Sequence, residues 1–567
     1  MNSIFFLVMR RMRAPLLALI FTYSVAVLGL VLIPGQDAEG NLWHMDFFHA
    51  FYFVSFMAST IGFGEIPYEF TDAQRLWVTF AIFFTVIVWL YSIGTLLTLF
   101  QDATFHQALI ERRFARRLRQ MRESFYLVCG YGETGSALIK ALTERNQQAV
   151  AIDIRQERVN LLALENLRQY VPALCGDARL PLHLTEAGLD HPLCSGVVAI
   201  TNSNEANLKI AITAKLLHPD ITVICRADSH DIEANMASFG TDSIIDPFDT
   251  FAVHFATALQ SPALNLLQEW LTSVADAPLG EPIYPPRHGL WVVCGYGRFG
   301  RAVFDQLRKE GMEVVVIEAT PKKTGEPPKP FVIGRGTEEE TLRAAEIERA
   351  VGIVAGTDND ANNLSIIMTA RALNSDLFVI LRQNRKDNEA LIKAVKADMV
   401  MHSSAIIANR IRVLLGTPLL YEFVQLVLYE EDSWACELVS RISALVQHRV
   451  PDVWELAINQ EQAYAVELAL REHQRVNLAE IMRDPGKREQ RLRCIPLLLI
   501  RNDQRIMLPA ESQRLEPGDR LLFCGSGGAH DRMEWTLQNE HALSYVRVGE
   551  APLQGWLWRW IRNRREV

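Results

Sequence analysis

Cysteine is sparse and carries no metal or redox pattern. The eight, at 129, 175, 194, 225, 294, 436, 494 and 524, leave the first hundred residues empty and form no C-x-x-C pair. Zinc ribbons and dithiol redox chemistry are therefore excluded as readings, and several cysteines sit in apolar runs as core thiols do. The sequence also has little excess of positive charge. The net charge of the 567-residue chain is −9, which excludes a general nucleic-acid binder. Disorder is excluded too, because 49% of the residues are hydrophobic and 22% charged. Charge is missing altogether from residues 14–33 and 76–100. A helix needs about 20 apolar residues to cross a bilayer, so both windows read as spanning helices at about 14–33 and 76–100. Lysine is absent between the windows, where Arg75 is the one basic residue, whereas Arg10, Arg11 and Arg13 precede the first and Arg112, Arg113, Arg116, Arg117, Arg119 and Arg122 follow the second. The positive-inside rule then places both ends in the cytoplasm. The first apolar run is too long for a signal peptide and lacks a cleavage site.

Between the windows, residues 46–60 are apolar and aromatic but too short to span, and they run into Thr60-Ile61-Gly62-Phe63-Gly64-Glu65. A short helix followed by Thr-x-Gly-x-Gly, between two spanning helices, resembles the pore loop of potassium channels. There, successive carbonyls replace the ion's water shell, and glycine tolerates the dihedrals this requires. The resemblance implies a selectivity filter of Thr60, Ile61, Gly62, Phe63 and Gly64 within 60–65, with Glu65 next, and potassium ions held in it. Phe63 lacks the hydroxyl that tyrosine supplies at that place. In the second spanning helix, Ser92 and Gly94 are candidate hinge positions, and Leu97, one turn nearer the cytoplasm, is a candidate gate residue.

From Phe125 the pattern is that of an α/β protein. An apolar strand, 125–129, leads into Gly130-Tyr131-Gly132-Glu133-Thr134-Gly135, a helix, and a second strand ending at Asp153. In a βαβ context, G-x-G-x-x-G is a dinucleotide fingerprint: the helix N-terminus faces a pyrophosphate and the acid faces ribose hydroxyls. The pattern recurs at Gly295-Tyr296-Gly297-Arg298-Phe299-Gly300 and Glu318, each glycine and acid displaced by 165 residues. Segments 200–204 and 356–360, and 223–226 and 379–382, also correspond. This is a tandem duplication, with its joint in the proline-rich stretch 276–289.

Taken together, the filter and the paired fingerprints resemble the prokaryotic two-transmembrane potassium channels with tandem RCK domains, among them multi-ligand-gated members. The resemblance implies a membrane all-α two-helix pore module with a re-entrant pore loop, at 1–104, and two tandem α/β Rossmann-like RCK domains. It places a linker helix at 105–123, the first RCK domain at 124–286, and the second at 287–567 with a small C-terminal lobe. It further implies a homotetramer in the inner membrane, multi-pass, gated by a cytosolic nucleotide such as NAD or ADP, with no catalytic residues and no nucleic-acid partner. The expected nucleotide contacts are Gly130, Gly132, Glu133, Thr134, Gly135, Asp153 and Asp177 in the first copy. In the second they are Gly295, Gly297, Arg298, Phe299, Gly300 and Glu318, and this copy is slightly preferred because Gly295–Gly300 is the closer match to ligand-binding units of related transporters. Asp228, Asp231 and Glu233 form a candidate calcium cluster. Two other readings are a membrane-anchored NAD(P)-dependent oxidoreductase and a nucleotide-regulated cation transporter subunit. The first leaves the segment 60–65 unexplained, and the second has too few spanning helices per chain.

Overall fold

The computed structural model describes residues 2–63, 66–101, 103–273 and 277–549. The chain divides into two compact units between Met121 and Arg122.

In the first unit, α1 (Asn2–Leu32) and α3 (Asp72–Gln101) form an antiparallel pair, with the shorter α2 (Phe47–Ala58) between them in sequence. Both long helices overrun the uncharged windows. A helix is held by backbone hydrogen bonds, so it continues through Arg10–Arg13 at one end and starts at Asp72, whose charge suits a helix N-terminus. The segments long and apolar enough to cross a membrane are Val8–Leu32 and Asp72–Gln101. The pair can approach closely because of Gly29: a Cβ there would lie 2.0 Å from the Trp77 ring, whose Nε1 donates to the Ala26 carbonyl at 3.1 Å. The expected pore helix is α2, capped by Asp46, whose carboxylate accepts the His49 N–H at 2.8 Å. The helix expected at 105–123 is α4, Ala103–Arg119.

The second unit holds two six-stranded parallel sheets. The first consists of β1 (Phe125–Cys129), β2 (Gln148–Asp153), β3 (Ala173–Cys175), β4 (Cys194–Ala199), β5 (Thr222–Arg226) and β6 (Ser243–Ile245), in the order β3-β2-β1-β4-β5-β6. The second consists of β7 (Leu290–Cys294), β8 (Glu313–Glu318), β9 (Phe331–Ile333), β10 (Ala350–Ala355), β11 (Phe378–Gln383) and β12 (Met399–His402), in the same order, β9-β8-β7-β10-β11-β12. This is the doubly wound arrangement in which ligands bind beyond the carboxyl ends of the strands, where the order reverses at β1/β4 and β7/β10. The central strands read as continuous apolar runs because helices cover both faces.

The helices that follow the two sheets are exchanged. Pro247–Gln260, which follows the first sheet, packs Phe248, Phe251 and Phe255 against Trp291, Phe299 and Val303 of the second copy. Ser403–Gly416, which follows the second sheet, packs Ile407, Ala408 and Ile411 against Val128, Leu138 and Leu142 of the first. Each copy thereby completes the other's core, and residues of the second copy reach the first copy's cleft. A four-stranded antiparallel sheet (Asp452–Ala457, Cys494–Arg501, Gln504–Met507, Arg520–Gly525) and helices Ala529–Gln538 and Glu540–Val548 form a C-terminal lobe.

Candidate functional site

The turn that leaves α2 is tight. The Ile61 and Gly62 N–H groups both donate to the Phe56 carbonyl, at 3.0 and 3.3 Å, and the Thr60 N–H donates to Met57 at 3.1 Å. Thr60 and Gly62 have φ of +62° and +67°. Glycine reaches that region freely, whereas for a β-branched threonine it is strained. Phe63 is exposed and meets the edge of Phe56 at 6.4 Å between ring centroids. Gly64 and Glu65 lie outside the described residues. In α3, the Ser92 hydroxyl donates to the Val88 carbonyl at 2.8 Å, Gly94 faces open space on its Cβ side, and Leu97 is exposed.

In the second unit both fingerprints adopt the same geometry. Gly130 and Gly295 have φ of +106° and +93°. A Cβ on Gly135 or Gly300 would sit 2.2 or 1.8 Å from the carbonyl oxygen of Gly130 or Gly295, so these last glycines are demanded by helix–strand packing. The acid at the end of the second strand folds back on the glycine loop in each copy: Asp153 accepts the Tyr131 N–H at 2.7 Å and Glu318 the Tyr296 N–H at 2.6 Å.

A cavity of about 720 Å³ lies over the first fingerprint. Its floor is Gly130, Gly132, Glu133 and Thr134; one end has Asp153, Arg155 and Arg158; Asp177 and Arg179 form a side. The opposite wall has Arg226 together with Arg298 and Arg382 from the second copy. Arg298 pairs with Asp228 at 2.7 Å and lies 5.1 Å over the Phe248 ring; Arg382 lies 5.2 Å over the same ring. Burial, and then the neighbouring Arg298, pull the Arg382 guanidinium below its usual range, although it remains a cation. Glu133, whose charge at a helix start would repel a phosphate, is turned toward the second copy, accepting the Lys386 N–H at 3.2 Å and lying 3.7 Å from His402. Asp177 is held by Arg179 at 2.7 Å, which lowers its carboxyl below the ordinary range.

Three expectations change. Arg298 lies in the wall of the first copy's cleft, because the exchanged helix brings Phe248 beside it. The Phe299 side chain is fully buried 5.4 Å from the Phe251 ring, so it packs the core and does not line a ligand site. The carboxylates Asp228, Asp231 and Glu233 are not gathered into one cluster. Asp228 is buried between Arg226, at 2.8 Å, and Arg298, which use its charge. The group that does gather is His230, Glu233 and Asp249, with His230 3.4 Å from Glu233 and 3.5 Å from Asp249. Asp249, then Glu233, raise the His230 imidazole's pKa. Burial pushes the Cys294 and Cys225 thiols up to about 12, as expected of inert core thiols.

The sequence reading missed Arg155, Arg158, Arg226 and Arg382. A signal for the first copy was present in the repeat itself: Asn202 and Asn204 stand where the second copy has Asp358 and Asp360, two carboxylates that disfavour an anion.

Comparison with known proteins places these units. The ion-channel family model matches residues 16–102, and the TrkA-N domain model matches twice, at 126–247 and 291–403. Potassium channel protein 1 of Methanocaldococcus jannaschii is 26% identical over 241 residues, which cover 42% of this chain and 69% of that protein. A Trk system potassium uptake protein TrkA homolog of Methanothermobacter thermautotrophicus is 30% identical over 166 residues, covering 29% of this chain and 76% of that one. Among solved structures, the chain is similar to the GsuK channel bound to NAD, with 16% identity and a TM-score of 0.47, covering 94% of this chain and 100% of that one. A channel module and a repeated TrkA-N module in one polypeptide, with relatives of both kinds, make this membrane protein a member of the two-transmembrane potassium-channel family with tandem TrkA-N (RCK) domains.

Proposed function

We propose that this chain forms a homotetrameric, potassium-selective channel of the inner membrane, with both termini cytoplasmic, gated by an adenine nucleotide such as NAD or ADP in the first copy's cleft. The observation that carries the gating assignment is the cavity over Gly130–Gly135, lined by cations from both copies. One chain supplies one filter loop, and a ring of carbonyls around an ion needs four. Thr60, Ile61, Gly62, Phe63 and Gly64 would form that ring. In the cytosolic unit, the glycine loop and helix N-terminus would hold the pyrophosphate, and Arg298 and Arg382 would meet its charge from the second copy. A ligand gripped by both copies binds better when they are close, and that differential affinity shifts the gate. Ser92, Gly94 and Leu97 remain the proposed hinge and gate positions. A calcium step is not part of the proposal, since Asp228 is already neutralised by two arginines.

Potassium flux from liposomes tests this, with and without ADP or NAD. Gly62→Ala should abolish flux. Gly132→Asp, which would place a carboxylate where the phosphate belongs, should keep flux and lose the nucleotide response. Gly297→Asp points into open space in the second copy and should keep both. The reverse pattern for the two aspartates would move the site to the second copy. Flux unaffected by Gly62→Ala would remove the filter assignment.

A further inference from the structure

We infer that the ribose end of the first cleft is built for a phosphate, so that its ligand is a 2′-phosphorylated adenine nucleotide of the NADP class. The inference rests on the nucleotide reading above and adds the ligand's chemical class. In doubly wound folds, the acid ending the second strand accepts the ribose hydroxyls, whereas a nearby arginine accommodates a 2′-phosphate. Here the acid is occupied. Asp153 takes the Tyr131 N–H at 2.7 Å on Oδ2, the Arg155 N–H at 2.9 Å on Oδ1, and the Arg158 guanidinium at 3.2 Å on Oδ2. Three donors, one of them a full cation, leave a ribose diol little acceptor capacity and cancel the carboxylate's charge. Two residues beyond Asp153, Arg155 lines the same cavity, and its guanidinium forms no hydrogen bond or ion pair among the described residues. The subsite therefore carries one uncompensated positive charge beside a neutralised acid, which suits a phosphate and not a bare hydroxyl.

The second copy shows the alternative. Offset by 165, Arg155 and Arg158 become Thr320 and Lys323. Thr320 gives both its N–H and its hydroxyl to Glu318 Oε1, at 2.7 and 3.2 Å. The guanidinium at that end, Arg301, is already engaged: it donates to the Thr324 carbonyl and lies 5.1 Å over the Tyr296 ring.

The test is titration calorimetry on the purified full-length protein at fixed ionic strength, with NAD and NADP, which differ by the 2′-phosphate alone. NADP should bind at least tenfold more tightly than NAD, and Arg155→Thr, which installs the second copy's residue, should reduce that ratio to within about twofold of unity. NAD binding as tightly as NADP, or a preference that survives Arg155→Thr, would overturn the inference while leaving the nucleotide site standing. Binding of neither NAD, NADP nor ADP would overturn the nucleotide reading itself, and this inference with it. The variant's fold is checked by its unchanged tetrameric elution and melting temperature.

Discussion

Three hydrogen-bond devices recur in the two Rossmann units at nearly equal lengths. Asp153 and Glu318 hold the glycine loop at 2.7 and 2.6 Å; Asn207 and Asn363 accept the Thr201 and Thr357 hydroxyls at 2.7 and 2.6 Å; Asp242 and Asp398 accept the Val223 and Val379 N–H groups, each at 2.7 Å. Charge does not recur in the same way. At the end of β5 the first copy has Asp228, and at the matching end of β11 the second has Asn384; before the following helix, the first copy has Asn202 and Asn204 where the second has Asp358 and Asp360. In the second copy Asp360 is spent on Asn384 and Asn388, at 2.8 and 2.7 Å. In the first, Asp228 recruits Arg298 from across the unit. The duplication kept the scaffold, and the few positions that set the sign of the field diverged. On the proposed reading, ligand competence lies in those positions, since the backbone offered to a phosphate is the same in both.

The sharpest challenge to scaffold equivalence is Gly135→Ala beside Gly300→Ala. Each Cβ would fall within about 2 Å of a carbonyl oxygen of its own glycine loop, and backbone on both sides leaves nothing to yield. Each variant should lose about 4 kcal/mol, read as a large drop in the melting temperature of detergent-solubilised protein. A collapse of one copy's variant with the other tolerated would show that the two loops are not held alike.

Charge divergence is tested at a smaller scale. Asn202 lines the first cavity, and Asn202→Asp gives that cleft the second copy's acid. A carboxylate near a phosphate should weaken ADP binding about tenfold, or about 1.4 kcal/mol, with the effect shrinking at higher salt. Asp358→Asn, the reciprocal change, should leave ADP affinity at the first site unaltered. An Asn202→Asp variant with unaltered affinity would disconnect the charge pattern from binding.

Much of this architecture was readable in the residues. Both central strands announce themselves as LWVVC and FYLVC, the fingerprints give the turns after them, and the 165-residue offset shared by the fingerprint glycines and acids gives the repeat. The pore helix was readable from its aromatic run; that Asp46 caps it came from the structure. What could not be read was which residues of one copy face the other. Arg298 sits in a fingerprint and reads as a phosphate ligand of its own unit; only the exchange of helices Pro247–Gln260 and Ser403–Gly416 shows that it faces the first cleft. Asp228 similarly reads as one member of a candidate calcium cluster with Asp231 and Glu233. Its burial follows from strand β5 ending under Arg226 and Arg298, a tertiary fact with no local signature.

The smallest expected effect concerns the caps of the exchanged helices. Asp246 caps Pro247–Gln260, accepting the Phe248 and Asp249 N–H groups at 2.7 and 3.2 Å; at the matching position of the second copy, His402 precedes Ser403–Gly416 and its side chain caps nothing. Burial first, then the nearby Asp249 and Asp228 charges, push the Asp246 carboxyl up to about 6 against an ordinary 3.8, although its two backbone hydrogen bonds pull the other way. His230 stands on the same side as a partly compensating cation when protonated. Because the folded-state value is raised, the stability that Asp246 contributes is fully present below pH 3.8 and is lost as pH rises through about 6. Asp246→Asn keeps an oxygen to accept the cap bonds and has no charge to desolvate. At pH 7.5 it should therefore be more stable than the parent by about 1 kcal/mol, the desolvation relieved being partly offset by weaker neutral cap bonds. The gap should close, and then reverse, as pH falls from 6 toward 4. Chemical denaturation of the full chain at three pH values reads this directly. A constant difference across that range would mean that the cap's ionisation does not couple to folding, and that Asp246 and His402 differ in hydrogen bonding alone.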